Sequence, residues 1–133
     1  MKALAAIALT TALSGAAYAD CPYPAAPTNL PDGRTATMED MLAGQKSVKE
    51  YQKAIDDYVA CIDKELDASI ASAGDKLKPQ QKTDMQKMEA QKHNAAVDQE
   101  QSVADRFNEQ VKIYKAAHDP NGGSSDASKK KKD

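Results

Sequence analysis

From Thr37 onward, apolar side chains return at helical spacing. Met41, Val48, Tyr51, Ile55, Tyr58 and Ile62 are separated by seven, three, four, three and four residues. This is an a/d stripe over three heptads, with Gly44 as its weak member. Beyond Ile62 the stripe shifts by one position to Leu66 and Ile70, so the seam drifts. Thr37-Met38-Glu39-Asp40 opens the helix as an approximate capping box, with acids in the first turn where the dipole favours them. Gly74 closes it as a C-cap. Asp75 is placed to cap a second helix, with Pro79 tolerated in its first turn. The second stripe is thinner: Met85, Met88, Val97, Ala104, Phe107, Val111 and Tyr114. Asp119-Pro120-Asn121-Gly122-Gly123 stops it.

The pattern therefore predicts two helices, about 37–73 and 78–118, joined by a short link. They form an antiparallel αα-hairpin over 37–118. Pairing around a turn near residue 76 sets Ile55 opposite Val97, Val48 opposite Ala104 and Met41 opposite Val111. Phe107 then fills the space near Gly44 and Val48. With one Phe and no Trp, the chain has to arrange its apolar surface as stripes around a thin core.

Ahead of the hairpin, residues 20–36 hold four prolines: Pro22, Pro24, Pro27 and Pro31. Proline fixes φ and removes a donor, so this leader is extended, ending in a turn at Pro31-Asp32-Gly33. Ahead of the leader, residues 1–19 read as a cleavable signal peptide. Lys2 is the n-region, Ala3 to Leu13 the uncharged apolar stretch, and Ala17-Tyr18-Ala19 the cleavage signal, with the cut between Ala19 and Asp20. Eleven apolar residues are too few to span a bilayer, which takes about 20. Tyr18 and Asp20 occupy positions where a lipid-attachment motif wants Leu and a small residue. The exported chain is thus expected to have no transmembrane anchor and a periplasmic or secreted address.

An exported chain with only Cys21 and Cys61 most simply carries one structural disulfide; an intermolecular bond or a reactive thiol pair are the alternatives. There is no CxxC motif. Cys61 lies 24 residues into the first helix, about 36 Å along it, and the leader can span about 50 Å in a polyproline conformation. A bridge would lay the leader back along the hairpin, with Tyr23, the prolines and Leu30 roofing the groove between the helices.

Charge excludes more than it assigns. Of the 18 basic residues, Lys2 leaves with the signal peptide, which contains none of the 20 acidic ones, so the exported chain is mildly acidic. It makes no case for nucleic-acid binding. His93 and His118, the only imidazoles, are about 38 Å apart on one helix and cannot share a metal. His93 with Glu89 and Glu100 could at most form a weak surface site. Asp56, Asp57, Asp63, Glu65 and Asp67 read as a solvated face, since a two-helix hairpin has no cleft to desolvate them. Tyr51 and Tyr58 read as core, and Asn94 and Asn108 as register-fixing contacts. No cofactor and no catalytic residue is indicated. The tail, 119–133, is expected to be disordered; its run Lys129, Lys130, Lys131 and Lys132 is either plainly solvated or a weak contact to an anionic envelope surface.

The blocks CPYPAAP…PDGRTAT, EYQKAIDDYVACI and KHNAAVDQEQSVADRFNEQVKIYKA resemble a group of small, uncharacterised exported proteins of Gram-negative bacteria with a Cys-Pro-rich leader and a helical hairpin. The similarity covers most of Cys21 to Ala117. It implies a periplasmic address and no activity, and no functional residue is carried over. Two non-enzymatic roles fit this reading. One is an envelope interaction or structural module that uses helical faces to bind a protein partner or itself. The alternative is a holdase-like chaperone or stress protein using Met38, Met41, Met85 and Met88 as adaptable contacts.

Overall fold

The computed structural model describes residues 21–118. Residues 1–19, read above as a signal peptide, the expected cut between Ala19 and Asp20, and the tail with Lys129–Lys132 lie outside the described residues. Two long helices dominate: α1, Met38–Ala73, and α2, Pro79–His118, with a single 3-10 turn at Gly74–Lys76 between them. The helices pack on each other as an antiparallel hairpin, and the segment before α1 is extended apart from one turn.

Local sequence accounts for the ends. The Asp40 amide donates to Thr37 Oγ1 at 3.1 Å, and the Thr37 amide donates to Asp40 Oδ2 at 2.8 Å, a closed capping box. The Thr37 hydroxyl, donating to Asp40 Oδ2 at 2.7 Å, and then the Thr37 amide hold the Asp40 carboxyl below its ordinary range. α1 ends at Gly74, whose φ of +50° favours glycine and whose amide reaches the Ile70 carbonyl. Asp75 does not cap α2 as expected; it sits inside the 3-10 turn. Instead the Lys78 amide donates to Gln81 Oε1 at 3.0 Å, a side chain reaching back from the first turn.

The α1 stripe is buried as the spacing predicts: Met41, Gly44, Val48, Tyr51, Ile55 and Ile62 face inward, with Tyr58 half-buried. Gln52 Nε2 donates to Glu100 Oε1 at 3.1 Å, so residue 52 is level with residue 100. This is the register a turn near 76 produces. On α2, however, the inward face differs from the expected stripe. Ala96, Val103 and Phe107 are buried, whereas Val97 is 43% exposed and Met88 59% exposed. The seam runs through 96, 100, 103 and 107, and Glu100 occupies one of its positions. Phe107, Val111 and Tyr114 of the expected stripe do pack on the core, and the difference is confined to Met88, which is exposed, and to Val97, whose place in the seam is taken by its neighbour Ala96. The smaller side chain is the one fully enclosed at the level of Ile55.

The leader runs back along the hairpin, antiparallel to α1. Cys21 is bonded to Cys61, with their Cα atoms 5.8 Å apart and 40 residues between them in sequence. From there Ala26 and Leu30 pack on the core. The chain turns at Asp32–Ala36, one residue later than expected, where the Thr35 and Ala36 amides donate to the Asp32 carbonyl and Asp32 Oδ1 accepts the Arg34 amide.

Candidate functional site

Three features of the hairpin could carry function: a clasp at the open end, an aromatic cluster beside the disulfide, and the helical tip beyond it. The clasp is built on two glycines. At Gly44, a Cβ would come within 2.7–2.9 Å of Pro31 ring atoms and of Phe107 Cε2, so the bare backbone admits both. At Gly33, the backbone lies directly on α2: its amide donates to Gln110 Oε1 at 2.9 Å. A Cβ there would collide with the Gln110 carbonyl and approach the Tyr114 nitrogen at 2.7 Å. The spacing rules do not find Gln110, because a polar residue gives no hydrophobic signal. An open cleft of about 370 Å³ flanks the clasp, with Arg34 and Arg106 on its wall. Asp32 already pairs with Arg34 at 3.0 Å and Glu109 lies alongside, so the two guanidinium charges are offset within the cleft.

Beside the disulfide, the Tyr23 ring meets the Tyr58 ring edge-on with centroids 5.1 Å apart. Tyr51, two turns back along α1, is 3% exposed, and its hydroxyl is buried without meeting hydrogen-bond geometry to any described residue. Burial above all, then the nearby Tyr23 hydroxyl and the Glu100 carboxylate, push the Tyr51 phenol up to about 12. A neutral phenol of this kind is a structural group at ordinary pH.

The carboxylates expected to form a solvated face are exposed, apart from the half-buried Glu65. Asp57 pairs with Lys53 at 2.7 Å on the surface. Across the hairpin, Asp63 faces Glu89. Partial burial and then this like-charged neighbour raise the Glu89 carboxyl, while nearby His93 works in the opposite direction. His118, at the other end, donates from Nδ1 to the Tyr114 carbonyl at 2.9 Å and stacks on the Tyr114 ring. Asn94 and Asn108 are exposed rather than seated in the seam. No group of three or more His, Cys, Asp or Glu side chains among the described residues is arranged to hold a metal.

The tip is defined by what the leader leaves uncovered. The disulfide anchors the leader at Cys61, and from residue 63 to residue 95 no side chain is buried. Just past the anchor, Ile62, Leu66, Met85 and Met88 line an apolar notch of about 120 Å³. Every buried core residue lies outside this stretch.

The described residues thus define a disulfide-pinned helical hairpin roofed from its open end to Cys61, about two thirds of the length of α1. No helix among them is long and apolar enough to cross a membrane. The Cys21–Cys61 bond calls for an oxidising compartment. No family model matches the chain, and neither a curated protein nor a solved structure does.

Proposed function

We propose that this chain is an exported, non-enzymatic interaction module of the cell envelope, cut after Ala19 and working in the periplasm. The observation that carries the reading is the division of the hairpin: the part up to Cys61 closed by the leader, the tip beyond it presenting helix with no fully buried side chain over 63–95. Helices are held in proteins mainly by packing of an apolar face, and in the tip that face is only half-buried, at Leu66, Ile70 and Met85. The address is supported by the signal-like residues 1–19, by the disulfide, and by the resemblance to small exported proteins of Gram-negative bacteria. A holdase role draws less support. Met41 is buried in the core, and Met38 stands at the opposite end of the hairpin from Met88, so the methionines form no continuous client surface. The lysines 129–132 add a second, weaker contact to anionic envelope surfaces in this reading.

Two measurements test the proposal. The N-terminus of protein recovered from periplasm is expected to be Asp20. A photo-crosslinker placed at Met88 in living cells is expected to give discrete adducts that one at Lys49, on the roofed part, does not. Retention in the cytoplasm, or equal adducts from both positions, would overturn it.

A further inference from the structure

The apolar notch at the tip continues the groove that the leader roofs. Along α1 the leader meets Gly44 with Pro31, Tyr58 with Tyr23 and Cys61 with Cys21. Between the first and last of these contacts each leader residue advances about 2.6 Å along the helix, toward the tip. The wall just ahead of Cys21 belongs to the notch. Ile62 adjoins Cys61, and Glu65 stands one turn beyond Cys61 on the same face of α1. Three more residues at the same advance, about 8 Å, bring residue 18 level with Leu66, which lines the notch with Met85 and Met88 from α2. Residue 18 is a tyrosine, and its neighbours Ala17 and Ala19 are small enough to let its ring enter.

We propose that the notch is the seat of Tyr18 in the uncut chain, with residues 17–20 prolonging the leader's roof over the tip. This rests on the cut after Ala19 proposed above and gives that cut a consequence: it takes the occupant of the notch away. The volume of about 120 Å³ is below the ~300–1,000 Å³ of small-molecule pockets and suits one large side chain. The lining suits an aromatic one with a polar tip. Ile62, Leu66 and Met85 receive the ring, the methionine sulfur being a favourable neighbour for it, and the phenol hydroxyl donates to Glu65 or Glu89. Tyr23 already docks on Tyr58 in the same groove, one turn before the disulfide. The chain's own tail is a poor occupant, since residues 122–133 carry no apolar side chain larger than Ala127. With Tyr18 gone, the exposed Met88 and the notch beside it are open to the partner of the interaction module. The uncut chain is closed at the surface that the cut chain uses.

Peroxide oxidation of the methionines, followed by mass spectrometry, tests this. Met38 is the internal reference: it is 58% exposed against 59% for Met88, and it stands at the other end of the hairpin. The full chain of 133 residues, refolded and disulfide-closed without contact with signal peptidase, is compared with the chain that begins at Asp20. In the full chain the rate at Met88 relative to Met38 is expected to fall about fivefold, because a seated ring keeps peroxide from the sulfur. Tyr18→Ser in the full chain should restore the ratio of the Asp20 chain. Equal ratios in the two chains overturn the seat. A ratio that falls in the full chain but ignores Tyr18→Ser overturns Tyr18 as the occupant and assigns the cover to the apolar residues before it. A ratio already low in the Asp20 chain means that the tail or a second copy covers the notch, and overturns the seat as well. Where the chain is cut in cells is read separately, from the N-terminus of periplasmic protein, so either result can fail without the other.

Discussion

The Gly33 amide and the Gln110 side chain, 77 residues apart in sequence, are joined by a 2.9 Å hydrogen bond that brings the leader turn onto the backbone of α2. This contact, not the disulfide, fixes the end of the leader nearest α1. Between the two, Pro31 drops into the gap at Gly44 against Phe107. The leader is thus held at both ends and once in between.

Gly33→Ala should be costly, because its Cβ would meet α2 backbone that no rotamer change can move. We expect about 2–3 kcal/mol, in the range for overpacking plus a lost hydrogen bond. Gln110→Ala, which only leaves the amide to find water, should cost about 1 kcal/mol. Chemical denaturation measures both; an equal cost for the two would mean that the close approach carries no weight.

At Gly44 two effects compete. Alanine gains about 1 kcal/mol of helix propensity, yet all three neighbouring atoms would lie under 3.0 Å from its Cβ, two of them in the rigid Pro31 ring. We expect the clash to win by about 1 kcal/mol. Pro31→Ala should turn Gly44→Ala from harmful to neutral or helpful in a double-mutant cycle, since the obstruction leaves with the ring.

Cys61→Ser opens a loop of 40 residues. By the chain-entropy account this costs about 4 kcal/mol. The loss should fall first on residues 21–36, which become cleavable by protease, while most helical dichroism remains. A disulfide-linked dimer of the parent protein in non-reducing gels would refute the intramolecular bond.

Tyr51 gives a pH signature. Its phenol, ordinarily near 10, is raised to about 12 in the fold. The folded state therefore binds its proton more tightly than the unfolded chain does. The stability this provides is fully present below pH 10 and is lost as pH climbs from 10 to 12. The loss should be on the order of 2 kcal/mol. Tyr51→Phe keeps the buried ring and deletes an unbonded hydroxyl, so it should raise the melting temperature at pH 7 and remove this alkaline loss. An unchanged alkaline transition in that variant would assign the transition to another group.

Several features are local enough to be read from sequence. The capping box at Thr37, the stop at Gly74 and the α1 stripe depend on neighbours within a turn or a heptad, where spacing alone decides. The hairpin register is legible as well, because a short link leaves two long helices no other alignment. Tertiary structure decided which residue turns inward at the middle of α2. Ala96 and Val97 differ by one position, and only the close approach of α1 selects the smaller side chain at the seam. Glu100 and Gln110 likewise carry no hydrophobic signal, since each is a polar group whose partner is distant in sequence and adjacent only after folding. The position of the Cys21–Cys61 bond along the hairpin is legible in the sequence, but the close seating of the roof is tertiary: Gly33 and Gly44 admit the α2 backbone and the Pro31 ring only once leader and helices are brought together.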